Sequence, residues 1–153
     1  MAKELKLPLT CIGIPKTVDN DLPITDCSPG FGSVAKYVAT STLEAGLDVK
    51  SMSETSTKVF ILEVMGRHAG WIAAASALAS TNETDPPHII LMPEVPFAKK
   101  KFINKVKQTV ANEGFCVVVA SEGTRYKNGM FLADSGLTDA FGHKQLGLSL
   151  IHI

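Results

Sequence analysis

The sequence predicts an α/β domain with a mainly parallel sheet and flanking helices. Two observations support this fold class: strand-length apolar runs alternate with amphipathic helical patterns, and no hairpin turn joins one predicted strand to the next. The 153 residues are 45% hydrophobic and 20% charged, a composition that suits one globular domain with an ordinary core.

The first predicted strand, residues 9–12, runs into a charged loop over residues 13–21. Pro29 and Gly30 then open a long amphipathic helix, because the apolar residues that follow recur at helical spacing. The β-branched and aromatic run at residues 59–64 predicts a second strand.

The second half of the chain repeats this alternation of helix and strand. Residues 69–80 are apolar almost all round and predict a buried helix, with Trp71 in the core. A third strand is predicted at residues 88–92, and an amphipathic helix follows that ends at Gly114. Residues 115–120 are continuously apolar, which is typical of a strand buried on both faces.

Net charge and cysteine content limit the classes of partner and location. Lysine plus arginine equals aspartate plus glutamate at 15 each, so net charge gives no reason to expect nucleic acid or an anionic membrane as partner. The three cysteines are far apart and are predicted to be buried free thiols. The apolar runs are too short for a membrane span, and the N-terminus lacks a signal-type apolar core, so we expect a cytoplasmic protein.

Charged or glycine-containing clusters follow the predicted strands. Because parallel strands end at one edge of a sheet, we expect these clusters to converge there and to form a site for an anionic ligand. The clusters are Lys16–Asp21, Met65–Arg67, Glu94 and Glu122–Gly123.

The loop after the first strand has two interpretations. Lys16 can neutralise a phosphate, while Asp19 and Asp21 can share the roles of proton acceptor and of partner for a metal ion or hydroxyl group. Aspartates also commonly stabilise a turn through their own backbone, and the spacing alone favours that interpretation at least as strongly.

Two further clusters are equally ambiguous. Gly66 allows close backbone approach and Arg67 can grip two phosphate oxygens, which suits a sugar phosphate; the alternative is an ordinary turn with an exposed arginine. Glu94, between two prolines, can accept hydrogen bonds from substrate hydroxyls or be a simple loop carboxylate. The Walker phosphate loop is missing, so the residues themselves predict an anion-binding α/β enzyme and no more.

Three motifs together resemble the phosphofructokinase family: Gly13–Asp21, Val64–Arg67 and Pro93–Glu94, in the family's order and approximate spacing. The resemblance covers residues 1–147, the middle of a family chain, and is strongest to the bacterial pyrophosphate-dependent branch. Residues 148–153 do not resemble the family. The resemblance implies a Rossmann-like phosphofructokinase fold that is incomplete at both ends.

The activity implied by the resemblance is phosphoryl transfer to the 1-hydroxyl of fructose 6-phosphate, with Asp19 as the proton acceptor for that hydroxyl. Thr17 and Asp21 flank it, contact the substrate and help to organise the transferred group and its Mg²⁺. Lys58 corresponds to a cation that reaches a neighbouring subunit's substrate, which implies a homo-oligomer. The remaining substrate-binding positions implied by the resemblance are Val18, Met65, Gly66, Arg67, Glu94 and His143.

Lys16 distinguishes the branches of the family, because ATP-using relatives typically have glycine there and pyrophosphate users have lysine. A lysine stabilises charge on the transferring phosphoryl group and crowds the space that a nucleotide needs. The resemblance therefore favours pyrophosphate as donor and a readily reversible reaction of glycolysis and gluconeogenesis. The alternatives are an ATP-dependent 6-phosphofructokinase and a non-catalytic sugar-phosphate-binding subunit, although a pure binder has little use for Asp19. The family's glycine-rich donor loops are absent from this sequence, so we expect the chain to be inactive by itself.

Overall fold

The computed structural model describes residues 8–138, together with residues 4, 140, 142 and 144–146. Its main sheet has three parallel strands, which are β1 (Val59–Val64), β2 (Ile89–Leu91) and β3 (Cys116–Ser121), in the order β1-β3-β2. Val64 pairs with Ser121 and Leu91 with Ala120, so the carboxyl ends of the three strands lie at one edge. The predicted α/β class with a mainly parallel sheet is confirmed.

Helices flank this sheet. They are α1 (Phe31–Met52), α2 (Trp71–Ala75), which continues as a 3-10 helix (Ser76–Ala79), and α3 (Lys99–Glu113). α1 begins after Gly30, whose φ is 93°, and α3 ends at Gly114, whose φ is 84°. Both glycines stand where the sequence predicts a helix end, because glycine adopts this left-handed conformation without steric cost.

The central strand β3 is the middle of the core. All six of its residues are buried, so the prediction of a strand buried on both faces is confirmed. Val119 packs with Val38 of α1 and Ile72 of α2, whereas Val118 packs on the opposite face with Phe102 of α3. Successive side chains of a strand point to opposite faces, so β3 holds helices on both sides of the sheet.

The prediction of a first strand is wrong for the described residues. Residues 8–17 have no regular secondary structure, and Leu9, Ile12 and Ile14 are 61%, 84% and 80% exposed. A strand needs a hydrogen-bonded neighbour for its backbone. Among the described residues β1 pairs only with β3, and no strand lies beside residues 9–12 to accept or donate these bonds.

The predicted helix over residues 69–80 is shorter and divided. Its α-helical part gives way to the 3-10 turn where the Ser76 hydroxyl donates to the Ala73 carbonyl oxygen at 2.5 Å. Such a bond competes with regular helical geometry. The placement of Trp71 in the core is also wrong: the side chain is 56% exposed, while its neighbour Ile72 is buried against the sheet.

A separate antiparallel sheet, formed by β4 (Asp134–Thr138) and β5 (Lys144–Leu146), was not predicted. The sequence of β4 contains aspartate, serine and glycine, and the first and last of these are depleted in strands. The local sequence therefore carries no strand signal. Two predictions, the substrate contact of His143 and the distinct tail at residues 148–153, concern positions outside the described residues.

The three cysteines differ in burial. Cys116 is buried as predicted, and burial raises the pKa of its thiol to about 11. Cys11 and Cys27 are exposed, which corrects the prediction, because both lie in segments that do not pack into the core. None of the described helices is long and apolar enough to cross a membrane.

Candidate active site

The turn over residues 17–20 is held by a threonine and an asparagine. The Asp19 N–H donates to Thr17 Oγ1 at 3.3 Å, and the Asn20 N–H donates to the Thr17 carbonyl oxygen at 3.4 Å. Asn20 is buried with a φ of 56°, a conformation that asparagine tolerates better than most residues. Thr17 and Asn20 therefore provide the turn contacts that the alternative interpretation gave to the aspartates.

Asn20 also fixes the segment that leads into α1. Its Oδ1 accepts from the Ser28 N–H at 2.8 Å, and its Nδ2 donates to the Asp26 carbonyl oxygen at 3.1 Å. These bonds close the loop of residues 20–28 onto the turn. Asn20 was not predicted as a site residue, because its role depends on backbone groups that come close only after folding.

The Asp19 side chain is half-buried in this turn. Its Oδ1 is buried and has no hydrogen-bond partner among the described residues. Burial raises the pKa of the Asp19 carboxyl, and the nearby Asp21 carboxylate raises it further, whereas the positive charges of Lys16, His68 and Arg67 act in the opposite direction. Lys16 and Arg67, which belong to the first two clusters, therefore both act electrostatically on Asp19.

The loop after β1 is packed tightly against the end of β3. Gly66 has a φ of 126°, and a Cβ at this position would lie 2.5 Å from the Ala69 carbonyl oxygen. The Ser121 hydroxyl donates to the Gly66 carbonyl oxygen. A Cβ on Gly123 would overlap the Arg67 carbonyl oxygen and lie 2.6 Å from that of Gly66. Glycine is required at both positions, at Gly66 by conformation and at Gly123 by space.

Glu94 holds the far end of the same loop. Its Oε1 accepts from the Gly70 N–H at 2.8 Å, immediately before α2. A Cβ on Gly70 would lie 2.8 Å from Glu94 Oε2, so this contact also depends on glycine. The fourth cluster, Glu122–Gly123, reaches the same edge, where the Glu122 N–H donates to the Val64 carbonyl oxygen at 2.9 Å.

A cleft of about 540 Å³ separates the loop of residues 20–26 from the loop of residues 68–71. Asp21 lies on one wall, and His68 and the exposed Trp71 lie on the other. The volume is within the range of small-molecule sites. A second cavity of about 290 Å³, between β2 and α3, is lined mainly by apolar side chains and lies away from Asp19.

The other predicted site residues have varied positions. Val18 is half-buried and packs against the core, and Met65 is 57% exposed. The side chain of Lys16 reaches the start of α1, where its Cε would lie 4.0 Å from a Cβ on Gly30. Lys58 precedes β1 and is therefore at the opposite edge of the sheet, roughly 20 Å from Met65 by the rise of a six-residue strand.

The described residues do not form a metal site by themselves. They contain no group of three or more histidine, cysteine, aspartate or glutamate side chains placed to hold a metal ion. Mg²⁺ prefers oxygen ligands in octahedral geometry and takes one or two carboxylates together with substrate phosphates. Asp19 and Asp21 are of the right chemical type, but we assign no metal ligand among them.

Known proteins resemble this chain over most of its length. The pyrophosphate–fructose 6-phosphate 1-phosphotransferase of Halomonas elongata is 65% identical over 147 residues, which are 96% of this chain and 35% of that protein. The protein of the same name from Xanthomonas campestris is 59% identical over 148 residues, with the same coverage of 96% and 35%. ATP-dependent 6-phosphofructokinase 3 of Streptomyces coelicolor is more distant, at 39% identity over 138 residues.

Solved structures give the same result. The crystal structure of pyrophosphate-dependent phosphofructokinase from Marinobacter aquaeolei matches with a TM-score of 0.80 at 62% identity, covering 94% of this chain and 37% of that one. The chain thus spans about a third of the length of these relatives. The sequence model of the family described as Phosphofructokinase matches residues 1–150. The chain therefore belongs to the phosphofructokinase family.

Proposed function

We propose that this chain is the central catalytic segment of a pyrophosphate-dependent phosphofructokinase. The complete protein would transfer a phosphoryl group from pyrophosphate to the 1-hydroxyl of fructose 6-phosphate and release fructose 1,6-bisphosphate and phosphate. The observation that carries the proposal is the setting of Asp19, whose buried Oδ1 has no partner in the described part of the chain and lies within electrostatic reach of Lys16 and Arg67.

Asp19 has the properties of the proton acceptor. The unpartnered oxygen of Asp19 can take the proton of the sugar's 1-hydroxyl group. The 1-hydroxyl oxygen then attacks the terminal phosphorus of pyrophosphate, the bridging P–O bond breaks, and phosphate leaves. Thr17, Val18 and Asp21 are the neighbouring positions proposed to contact substrate. The turn bond from the Asp19 N–H to Thr17 Oγ1 supports this assignment, since it fixes the direction of the loop.

Lys16 and Arg67 are proposed to stabilise the charge of the transferring group. Fixed positive charges that are in place before the reaction need no reorganisation as negative charge develops, which makes them effective. Lys16 is exposed, so its ammonium group is accessible to a phosphate. This lysine is also the basis for preferring pyrophosphate over ATP.

The loop after β1 is proposed to bind the sugar phosphate, through Met65, Gly66 and Arg67. Its support is the tight packing against β3, which fixes the backbone groups of the loop before substrate arrives. Glu94 is proposed to accept hydrogen bonds from sugar hydroxyl groups through Oε2, because Oε1 already accepts from the Gly70 N–H. His143 stays a proposed substrate contact.

Three further proposals concern the whole protein. Lys58, at the opposite edge of the sheet from Asp19, suits a cation that serves a neighbouring subunit, and we propose a homo-oligomer with shared sites. Phosphotransferases of this family generally need a divalent metal; we propose Mg²⁺, with no ligand assigned here. We propose a cytoplasmic location.

The test uses two proteins. The first is the 153-residue chain itself, which we expect to be inactive with magnesium pyrophosphate and fructose 6-phosphate. The second is a chimera in which this chain replaces the matching 147 residues of the Halomonas elongata relative. The chimera should form fructose 1,6-bisphosphate from pyrophosphate at least about 100-fold more efficiently than from ATP.

Each alternative has its own outcome in this assay. A chimera that strongly prefers ATP would identify an ATP-dependent enzyme and remove the argument from Lys16. A folded chimera that binds fructose 6-phosphate without turnover of either donor would identify a non-catalytic subunit. Clear turnover by the 153-residue chain alone would refute the expected inactivity.

A further inference from the structure

His68 stands near the tip of the loop between Gly66 and Gly70 and was not among the site residues predicted from the sequence. Both ends of this loop are fixed: the Gly66 carbonyl oxygen accepts from the Ser121 hydroxyl, and the Gly70 N–H donates to Glu94 Oε1 at 2.8 Å. His68 itself is exposed. The bonds at both ends hold the backbone around His68 in place, while the exposed side chain is accessible to a ligand.

His68 faces the same space as the reactive aspartate loop. It lies on the wall of the cleft opposite Asp21, beside the exposed Trp71. A residue on this wall is therefore placed to contact a ligand that also reaches Asp21. Asn20, which closes the other wall, is buried and hydrogen-bonded, so that wall also has a fixed shape.

Three basic side chains from two loops act electrostatically on Asp19, namely Lys16, His68 and Arg67. Asp19 Oδ1 nevertheless has no hydrogen-bond partner among the described residues. Cations whose purpose is to neutralise a buried carboxylate would be expected to bond to it directly. These basic groups are therefore available to an anionic ligand that enters the adjacent cleft, whose wall includes His68.

We propose that His68 is a substrate-contacting residue, whose imidazole donates a hydrogen bond to an oxygen of the phosphoryl group that faces Asp19. The inference rests on the proposed function and extends it. Lys16 and Arg67 supply charge, and His68 adds a directional donor from the wall opposite Asp21. The ligand class is pyrophosphate in the forward direction.

The test compares donor and acceptor binding in the chimera. Calorimetry measures the affinities for pyrophosphate and for fructose 6-phosphate, each titrated alone. The fluorescence of Trp71, the one tryptophan of this chain, reports ligand binding in the cleft. The Trp71→Phe variant shows how much of the fluorescence change comes from this residue. In His68→Gln, pyrophosphate affinity and kcat/KM for pyrophosphate should fall on the order of 10- to 100-fold, as for a lost hydrogen bond to a charged group. Fructose 6-phosphate affinity should change less than about twofold by the same reasoning.

Controls separate this contact from a general effect. Lys107→Gln removes a positive charge from the exposed side of α3, outside the cleft. This variant should leave both affinities unchanged. Thermal melting verifies that each variant folds. If His68→Gln does not fold, His68→Asn replaces it in the same measurements. Unchanged pyrophosphate affinity and kcat/KM in a folded variant, or equal losses for both substrates, would overturn the inference.

The same data separate this inference from the proposed function. A chimera that binds pyrophosphate in a His68-dependent way but transfers no phosphoryl group supports the contact and refutes the function. An active chimera that is indifferent to His68 refutes the contact alone. A chimera that does not bind pyrophosphate refutes both.

Discussion

Gly123 and Arg67 are in such close contact that no side chain fits between the end of β3 and the loop after β1. A Cβ on Gly123 would overlap the Arg67 carbonyl oxygen. Gly123→Ala should therefore displace the Arg67 loop, lower the free energy of unfolding by about 1–3 kcal/mol as overpacking does, and reduce kcat/KM of the chimera at least 10-fold. Thermal melting and steady-state kinetics measure these effects.

A matched glycine provides the control for that experiment. Gly32 lies in α1, and a Cβ there would meet no atom within 4 Å. Gly32→Ala should leave kcat/KM unchanged and should not lower stability, since alanine is favoured over glycine in a helix. Equal losses in the two variants would show that the space at Gly123 is not the cause.

Asp19→Asn should remove the proton acceptor while keeping the shape of the turn. The turn bond at this position comes from the Asp19 backbone N–H and not from its carboxylate. We expect kcat of the chimera to fall by about 10²- to 10⁴-fold, the usual contribution of general base catalysis, with fructose 6-phosphate affinity largely retained. Kinetics and calorimetry provide the two values, with Asp48→Asn on the exposed side of α1 as control. Unchanged turnover would exclude Asp19 as the base.

The same variant should be more stable than the parent at neutral pH. The pKa of Asp19 is raised, chiefly by burial, so the folded state holds this proton more tightly than the unfolded state. The free energy of unfolding therefore falls as pH rises from the ordinary aspartate pKa through the raised pKa of Asp19. The whole destabilising effect of the charged carboxylate is present at pH 7. Asp19→Asn should raise the melting temperature at pH 7 and lose this advantage near pH 3. A lower melting temperature at pH 7 would contradict the assignment.

Glu94→Ala should loosen the start of α2. The substitution removes the acceptor of the Gly70 N–H and costs about 1 kcal/mol, because Glu94 is exposed and water replaces part of the bond. Hydrogen exchange of the peptide over residues 66–72 should accelerate. Glu94→Gln, which keeps an acceptor, should show a smaller effect; acceleration of the same size in both variants would mean that the carboxylate does not hold this loop.

His88 should make stability depend on pH between about 5 and 7. The Val117 N–H donates to His88 Nδ1 at 2.9 Å, and burial lowers the pKa of the imidazole. The unfolded chain then binds the proton more readily, so stability is complete above the ordinary histidine pKa of about 6.5 and decreases as pH falls below it. Melting temperatures at pH 7.5 and 5.5 should differ less in His88→Gln than in the parent chain. An unchanged difference would assign the pH dependence to another group.

Much of the fold follows from local sequence. The periodicity of α1 and α3, the glycines at their ends and the apolar runs of β1, β2 and β3 each lie within one segment, and all were predicted. The two antiparallel strands were missed because β4 carries polar residues and a glycine. Residues 9–12 were wrongly predicted as a strand. Their apolar composition favours a strand, but no neighbouring strand among the described residues forms hydrogen bonds with them.

The candidate site divides in the same way. The sequence identified residues with suitable chemistry, such as Lys16, Asp19 and Arg67. It placed Lys16 and Asp19 after a strand that the described residues do not form, so the position of their loop also came from the tertiary structure. Only the tertiary structure decided that Glu94 holds Gly70, that Trp71 faces a cleft, and that Asn20 and His68 belong to its walls. Those roles depend on how two loops distant in sequence approach each other, and such contacts are fixed by packing across β3, which no local pattern encodes.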